Sequence, residues 1–273
     1  MGFLLLFGLV GAAAAIAGLG GSGDTETITV DAMGGDDSVT GTPNADTIYT
    51  EGGNDTVNGL DGNDTIGLGS GDDFADAGEG DDTVYGGIGL DDVTGGPGND
   101  QIFLDDGDDI SIGTGDPEVD FAGNDLIRGG DGSDIIIDAV GNDTLYGDLG
   151  ADVLSSIDLT GTPDAPDFVY GGFGSDIIAG DDGDALEGGD GIDGFAVWVD
   201  EDSDSEVELT DYDAATEVLV LQFDSTAFPT YTNADITTDT VGDDLRVLVD
   251  GKAIALLRGT TSIDPTLVTV SMV

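Results

Sequence analysis

Aspartate residues recur at a nine-residue spacing through most of the chain, and a glycine stands two positions before nearly every one of them. An ionised carboxylate only accepts hydrogen bonds and is a hard oxygen ligand, so a regular array of carboxylates suits cation binding. Calcium accepts a flexible shell of carboxylate and carbonyl oxygens, whereas magnesium requires a stricter and wetter octahedron. We therefore predict multiple calcium sites along this register. The candidate metal ligands are Asp37, Asp46, Asp55, Asp64, Asp73, Asp82, Asp91, Asp100, Asp109, Asp125, Asp134, Asp143, Asp152, Asp176, Asp184 and Asp193.

The elements that position these aspartates follow from the residues after each of them. A three-residue segment with an apolar middle residue favours a short β-strand whose middle side chain points inward. Six glycine-rich residues then reverse the chain, so two nine-residue repeats make one coil of 18 residues with two parallel strands. The inward column, which we predict to be the core, is Val39, Ile48, Val57, Ile66, Ala75, Val84, Val93, Ile102, Ile127, Ile136, Leu145, Leu154, Ile178, Leu186 and Phe195.

Stacking of the coils predicts which aspartates are neighbours. Strands of successive coils lie about 4.8 Å apart, so each aspartate should lie beside the aspartate of the next coil. Bare carboxylates at that separation repel, and a divalent cation between them reverses the interaction. If the two insertions bulge outward, two rows of eight aspartates leave seven gaps each, which allows at most fourteen calcium ions. The first predicted row is Asp37, Asp55, Asp73, Asp91, Asp109, Asp134, Asp152 and Asp184. The second is Asp46, Asp64, Asp82, Asp100, Asp125, Asp143, Asp176 and Asp193.

The composition excludes several function classes. The chain of 273 residues has 59 Asp and Glu against 4 Lys and Arg, a formal charge of −55, and neither His nor Cys. Nucleic acid is excluded as a partner because little could neutralise its phosphates. Zinc sites of the usual kind, His-assisted nucleophiles and thiol chemistry are excluded for want of His and Cys. We also expect no enzyme activity, because the regularly placed aspartates are committed to the repeat.

The repeat resembles the RTX, or hemolysin-type calcium-binding, nonapeptide Gly-Gly-x-Gly-x-Asp-x-U-x, where U is a large apolar residue. Residues 95–102 (Gly-Gly-Pro-Gly-Asn-Asp-Gln-Ile) and 129–136 (Gly-Gly-Asp-Gly-Ser-Asp-Ile-Ile) match it throughout. Departures include Asn44 in place of a glycine, and Glu51 and Asp105 in place of the second glycine. The resemblance implies an all-β fold, a parallel β-roll or two-sheet solenoid, with calcium between successive turns. It also implies secretion into calcium-rich surroundings.

The N-terminal residues are apolar and carry no basic residue. Residues 2–20 are just long enough to span a bilayer as a helix, and they lack the basic segment of a secretory signal. We expect residues 1–23 to form one apolar N-terminal helix that serves as a membrane anchor, a cleaved or translocated leader, or a cap on the first coil. We assign residues 24–194 to the calcium-binding β-roll and residues 195–273 to a β-rich capping and secretion region.

The region after the repeats has the periodicity of ordinary strands. The predicted strands are residues 195–199, 207–212, 217–223, 245–249 and 253–257. Asp250-Gly251 between the last two is a strong signal for a two-residue hairpin turn. Arg246, Lys252 and Arg258 surround this turn, where we expect them to relieve local repulsion. The region resembles the β-rich C-terminal region of RTX proteins, which implies the type I secretion machinery as a partner.

These features predict a non-catalytic, secreted or cell-surface-anchored bacterial protein that folds on binding calcium after export and has a structural or adhesive role. A membrane contact through residues 1–20 is a further candidate interaction, as is end-to-end self-association through the exposed strand edge of a terminal coil. The alternative is recognition of ice or of a polysaccharide by a flat outer face, since Thr47, Thr65 and Thr83 recur 18 residues apart. Exposed threonine is also simply a good strand residue.

Overall fold

The structure is a computed structural model that describes residues 4–7, 15–17, 28–32, 34–112, 123–138, 140–157, 165–199, 205–223, 236–263 and 268–272. The chain divides into two compact units, Met1–Asp138 and Ala139–Val273, and each is considered by itself. Both units consist of β-strands, and no helix occurs among the described residues. The predicted all-β fold is therefore confirmed.

The first unit is a coil in which successive strands alternate between two parallel sheets. Its first sheet contains β1 (Leu4–Phe7), β3 (Ile28–Asp31), β5 (Thr47–Tyr49), β7 (Thr65–Ser70), β9 (Thr83–Ile88), β11 (Gln101–Asp106) and β13 (Leu126–Asp131). Its second sheet contains β2 (Ala15–Ala17), β4 (Ser38–Thr40), β6 (Thr56–Asn58), β8 (Phe74–Asp76), β10 (Asp92–Thr94), β12 (Ile110–Ile112) and β14 (Ile135–Ile137). This alternation is the predicted parallel β-roll.

The strands pair at the spacing of the repeat, for example Ile48 with Ile66 and Val57 with Ala75. The middle residue of each short strand points between the sheets because side chains alternate along a strand. All the apolar residues predicted for this inward column are buried, with none more than 1% exposed. The column also includes Ser111 in β12 and Val169, both fully buried.

The second unit continues the same pattern and then adds an antiparallel segment. One sheet contains, in spatial order, β15 (Thr144–Gly150), β17 (Phe168–Gly174), β19 (Ala185–Gly191), β21 (Val207–Leu209), β25 (Lys252–Leu257), β24 (Asp244–Val249) and β23 (Ile236–Val241). The other contains β16 (Val153–Ser155), β18 (Ile177–Gly180), β20 (Gly194–Val199), β22 (Val218–Phe223) and β26 (Val268–Met272). Only β23, β24 and β25 pair antiparallel among the described strands.

The two insertions leave the pairing of the flanking strands unchanged. Residues 113–122 and 158–164 lie outside the described residues. On either side of the first insertion, Ile102 pairs with Ile127, and around the second, Leu145 pairs with Val169. The coil resumes its register after the first insertion, as the spacing of the aspartates predicts. After the second insertion Val169, which the prediction omitted, takes the place beside Leu145.

The predicted N-terminal helix is wrong for the residues that the structure describes there. Leu4–Phe7 is a strand that pairs in parallel with β3, and Ala15–Ala17 is a strand that pairs in parallel with β4. The first coils of the repeat expose unpaired backbone N–H and C=O groups, and an apolar segment can pair with such an edge. The other residues of segment 1–23 lie outside the described residues. No helix in the described part of the chain is long and apolar enough to cross a membrane.

The C-terminal strands occur close to their predicted positions. Asp250 and Gly251 both have positive φ, 51° and 79°, as a two-residue turn with the twist of a hairpin requires. Arg258, the residue after β25, forms a bidentate ion pair with Glu208 of β21, with Nε and one terminal nitrogen on the two carboxylate oxygens. Arg246 contacts Glu206 at 2.9 Å. These ion pairs place Arg246 and Arg258 against acids of neighbouring segments.

Candidate metal centre

The sixteen predicted aspartates all lie in the turns that enter the strands, and none is more than 5% exposed. A carboxylate is rarely buried to this extent without compensation, because removing its charge from water is costly. Part of the compensation is a hydrogen bond between coils. Oδ1 of one aspartate accepts the backbone N–H of the aspartate one coil earlier, for example at 2.6 Å from Asp64 N to Asp82 Oδ1.

These hydrogen bonds define the rows of aspartates. In the first unit, one row joins Asp37, Asp55, Asp73, Asp91, Asp109 and Asp134. The other joins Asp46, Asp64, Asp82, Asp100 and Asp125. Both agree with the predicted rows. In the second unit the rows are Asp152, Asp176 and Asp193, and Asp143, Asp167 and Asp184.

The rows of the second unit correct the sequence prediction. Asp176 follows Asp152, with 2.9 Å between its Oδ1 and the Asp152 backbone nitrogen, whereas we predicted Asp184 at this place. The difference is due to Asp167, a buried aspartate whose Oδ1 accepts the Asp143 N–H at 2.6 Å. Asp167 follows an insertion that removes the glycines before it, so the repeat pattern missed it. The signal that marks it is the segment after it, Phe168-Val169-Tyr170-Gly171-Gly172, which has the strand and glycine pair of a normal repeat.

The second carboxylate oxygen of the central aspartates has no such partner. Oδ2 is buried and lacks a hydrogen-bond partner within the described part of the chain at Asp64, Asp73, Asp82, Asp91, Asp100, Asp109 and Asp176. A buried polar atom left unsatisfied costs free energy, so its repetition at these seven positions requires an explanation. A cation that these oxygens coordinate provides one.

A glycine five residues before the aspartate leaves room for such an ion. At Gly86, a Cβ atom would lie 2.6 Å from the carbonyl oxygen of Leu104 and 2.8 Å from Oδ2 of Asp91. The same kind of space occurs at Gly171 beside Asp176. Each space is bounded by a carboxylate oxygen and by a backbone carbonyl oxygen of the next coil. These are the donors that calcium accepts, so the residues present fit that ion.

The electrostatics of the rows also favour a bound cation. Burial, followed by the charge of the next aspartate of the row, raises the pKa of Asp82 and Asp100 to about 7 from the ordinary value of 3.8. The same causes raise the pKa of Asp64 and Asp91 to about 7. Burial, followed by the charges of Asp55 and Asp72, raises the pKa of Asp73 to about 6. The backbone N–H groups that donate to these carboxylates lower their pKa values, but by less than burial raises them. Full ionisation of a row near neutral pH therefore needs a positive charge beside it.

The family model of the RTX calcium-binding nonapeptide repeat (4 copies) matches residues 31–66, 68–93, 86–116, 120–154 and 164–187, more than half of the chain. The chain belongs to this RTX family. RTX nonapeptide repeats bind Ca²⁺, and the rows of buried aspartates fit calcium as the cofactor. The last matched segment contains Asp167. No curated protein matches the chain.

Two aspartates of the RTX rows use their second oxygen differently. Oδ2 of Asp46 accepts the backbone N–H of Thr42 at 2.6 Å, and Oδ2 of Asp184 accepts the Ser156 hydroxyl at 2.8 Å. The Asp181 N–H also donates to Oδ2 of Asp184, at 2.9 Å. Protein donors therefore satisfy at these two positions the oxygens that remain unsatisfied at the centre of the rows.

Two acids that the repeat pattern did not identify lie next to the last RTX coil. The carboxylate of Asp211 accepts the N–H groups of Gly188 and Gly189 at 2.8 and 2.7 Å. Glu217 is only 4% exposed, and burial, followed by the charges of Asp193 and Asp211, raises its pKa to about 7. In the sequence, both lie among C-terminal strand residues without the repeat's glycines, so no spacing signal marks them.

Proposed function

We propose that this chain is an exported, extracellular bacterial protein whose RTX roll folds when calcium binds between its coils, and that its role is structural or adhesive rather than catalytic. The observation that supports this proposal most is the repeated, buried and unsatisfied Oδ2 of the central aspartates. At Asp64, Asp91 and Asp176 this oxygen lies where an ion can also reach a backbone carbonyl of the next coil. Bound calcium supplies the positive charge that allows the rows to ionise.

The sixteen predicted aspartates and Asp167 are the residues that we propose as calcium ligands. Asp64, Asp73, Asp82, Asp91 and Asp100 form the strongest part of this set, because both burial and like charge act on them. Asp46 and Asp184 form the weakest part, because N–H and hydroxyl donors already occupy their Oδ2 atoms. The number of ions bound is therefore lower than the number of aspartates in the rows.

Calcium dependence couples folding to export. In a calcium-poor cytoplasm, the charge of −55 keeps the chain expanded, because self-repulsion opposes the compact state. Extracellular calcium modules bind at about 10⁻⁴ to 10⁻³ M, so millimolar calcium folds the roll by mass action. In this proposal residues 195–273 cap the roll and carry the signal for the type I secretion machinery. Residues 1–23 tether the chain to a membrane, lead it through one, or cap the first coil.

Limited proteolysis of the full chain tests the calcium switch. In millimolar calcium we expect large protected fragments that span residues 34–194, and in excess chelator we expect rapid digestion throughout. Magnesium at the same concentration should protect far less, because it requires a stricter octahedral shell. Equal protection in calcium and in chelator would contradict the proposal. Fractionation of producing cells tests export separately, since a wholly cytoplasmic protein would contradict export alone.

Recognition of a surface by an outer face of the folded roll is the second candidate function. Thr47, Thr65 and Thr83 are neighbours on β5, β7 and β9, and all three side chains are half-buried. The row ends at Gln101, which pairs with Thr83. A short and half-buried threonine row is weak support for ice binding. Unchanged ice-crystal shape in the presence of the folded protein would remove that form of the hypothesis.

A further inference from the structure

The outer face of the first sheet carries a strip of aromatic rings in the first unit. Tyr49, Tyr85 and Phe103 occupy the same position, the third residue of the repeat's strand segment, on β5, β9 and β11. The residue at this position on β7 is Gly67, which pairs with Tyr49 on one side and with Tyr85 on the other. We call Tyr49, Tyr85 and Phe103 the aromatic strip.

The rings of the aromatic strip form a nearly continuous apolar surface. Tyr85 and Phe103 stack with 5.2 Å between ring centroids and 11° between ring planes. The Tyr49 ring lies over Gly67, where a Cβ atom would be only 2.7 Å from its Cδ1 atom. Tyr49 is 44% exposed and Tyr85 43%, so these two rings are open to solvent, and Phe103 is half-buried. Three strand spacings of about 4.8 Å give the strip a length of about 14 Å, which suits a short oligosaccharide.

Hydrogen-bonding side chains run alongside the rings on the same outer face. Thr47, Thr65, Thr83 and Gln101 occupy the first position of the same strand segments, with the inward residue between them and the strip. Threonine supplies a hydroxyl group and glutamine an amide group for hydrogen bonding. The face therefore combines a row of apolar ring surfaces with a parallel row of uncharged hydrogen-bonding groups.

The strand segments that carry the rings are uncharged in a strongly acidic chain. Residues 47–49, 65–67, 83–85 and 101–103 include no Asp, Glu, Lys or Arg, although the whole chain has a formal charge of −55. The column of ring positions ends at charged residues, with Asp31 paired to Tyr49 and Arg128 paired to Phe103. An exposed apolar patch with a polar border is typical of a binding site.

We propose that the aromatic strip and the adjoining Thr and Gln side chains bind a neutral polysaccharide. The C–H face of a pyranose ring packs on an aromatic ring, and its hydroxyl groups pair with hydroxyl and amide side chains. Nucleic acid also stacks on aromatic rings, but its phosphates are repelled by the net charge of −55. Acidic polysaccharides are repelled in the same way. A cationic partner would instead bind the abundant carboxylates outside the strip.

Cross-strand aromatic pairs also stabilise a sheet, so the test must separate binding from folding. The proposal rests on the calcium-folded roll, and every measurement is therefore made in millimolar calcium, with far-UV circular dichroism recorded for each variant. The probes are insoluble cellulose and chitin, soluble neutral β-glucan, and polygalacturonate as a charged comparison. The test variants are Tyr85→Thr and Phe103→Thr, which replace the rings with good strand residues. The control variant is Phe173→Ser, which removes a ring that is 56% exposed elsewhere.

We expect the wild-type chain to bind at least one neutral polysaccharide and not polygalacturonate. Each ring deletion should weaken that binding about tenfold, since an aromatic stacking contact contributes about that factor. Phe173→Ser should bind like the wild type. Folded wild-type protein that binds none of the neutral polysaccharides, or binding that survives both ring deletions, would overturn the proposal. Failure of the chain to fold in calcium would instead be seen in the dichroism and would count against the proposed calcium switch.

Discussion

The backbone N–H of Asp82 donates a 2.8 Å hydrogen bond to Oδ1 of Asp100, the aspartate one coil further along the roll. The other oxygen of Asp100, Oδ2, is buried and lies where a side chain on Gly95 would collide with it, at 2.5 Å. One carboxylate thus fixes the turn of the preceding coil and presents its remaining oxygen to the space that suits an ion. The turn of one coil is therefore held by a carboxylate of the next coil.

Replacing a central row aspartate should weaken calcium binding selectively. Asp82→Asn keeps the size and the oxygen acceptor of the side chain but removes its charge. We expect the calcium concentration at half-folding to rise about tenfold or more. Mutation of residues that only hydrogen-bond to a metal's ligands already lowers metal affinity about tenfold or more, and Asp82 is itself a proposed ligand. In chelator, the same variant should be slightly more folded than the wild type, because it relieves like-charge repulsion within the row. Calcium titrations monitored by circular dichroism measure both effects.

The matched control for this prediction is Asp61→Asn. Asp61 is an exposed acid in a neighbouring turn, and the substitution changes the net charge by the same amount. It should leave the calcium midpoint unchanged, because surface charges contribute little. If both variants shift the midpoint equally, general charge rather than coordination by the rows controls folding.

Without calcium, the roll should gain structure as the pH falls. Burial and like charge raise the pKa of Asp64, Asp82, Asp91 and Asp100 to about 7 in the folded state, from the ordinary 3.8. The folded state then binds more protons than the unfolded state between these limits, so its stability is greatest below 3.8 and is lost as the pH rises through 7. Circular dichroism of calcium-free protein across this range checks the prediction.

In saturating calcium the pH dependence should have the opposite sign. Calcium binds the ionised carboxylates, so protons compete with it and acid weakens the folded state.

The calcium-free prediction has its own contradicting outcome. A calcium-free transition centred near pH 4 rather than between 6 and 7 would show that the pKa values of the row carboxylates are not raised. The gain of structure in acid would then be due to the general loss of negative charge.

A glutamate in the left-handed region should be replaceable by glycine with a gain in stability. Glu51 has φ of 62°, at a position where most repeats have glycine, and its side chain is exposed. Glu51→Gly should stabilise the calcium-bound fold by about 1 kcal/mol, because a residue with a Cβ atom pays a penalty there. Denaturant unfolding in calcium measures the change.

Glu79→Gly is the matched control for the glutamate prediction. Glu79 is also an exposed turn residue, and its φ is not in the positive range. Glycine at this position should destabilise the fold by about 0.5–1 kcal/mol through the added freedom of the unfolded chain. Stabilisation by both variants to the same extent would indicate that the lost negative charge, and not backbone conformation, is responsible.

Replacing one buried serine with an apolar residue should stabilise the fold. Ser111 is fully buried in the inward column, where it pairs with Ile136, and its hydroxyl has no hydrogen-bond partner among the residues that the structure describes. Ser111→Val should stabilise the calcium-bound fold by about 1–2 kcal/mol, since it removes an unsatisfied polar atom and restores the apolar column.

The matched control is Ser156→Val, at another fully buried serine. Its hydroxyl donates to Oδ2 of Asp184 at 2.8 Å, so the same substitution should destabilise the fold by about 1–3 kcal/mol. The two variants are compared by denaturant unfolding in calcium. Opposite signs are expected, and destabilisation by both would show that the inward column cannot accept the added volume at Ser111.

The regular part of the fold could be predicted from the sequence because position in the repeat determines environment. Asp37 to Asp109 and Val39 to Ile102 keep an unbroken nine-residue register, so burial, strand pairing and rows all follow from one period. The prediction was wrong where the period is interrupted. An insertion replaces the glycines before Asp167, so the pattern omitted this residue. As a result, we predicted Asp184 rather than Asp176 as the neighbour of Asp152.

The N-terminal segment shows a different limit. Residues 2–20 are apolar over a length that suits a membrane helix. Their composition does not show that the first coil offers an open strand edge with which they can pair. The pairing of Ala15–Ala17 with Ser38–Thr40 depends on that edge and not on a local period. The aromatic strip was likewise missed, because Tyr49, Tyr85 and Phe103 recur irregularly and only the register across strands brings them together.

The most direct test of the account is a calcium titration of the full chain, followed by far-UV circular dichroism and by calorimetry for the stoichiometry. We predict a cooperative transition from coil to β-structure at about 10⁻⁴ to 10⁻³ M calcium, with several ions bound per chain and full reversal by chelator. Identical spectra in calcium and in excess chelator, or uptake of no more than one ion per chain, would contradict the claim that calcium between the coils folds this roll.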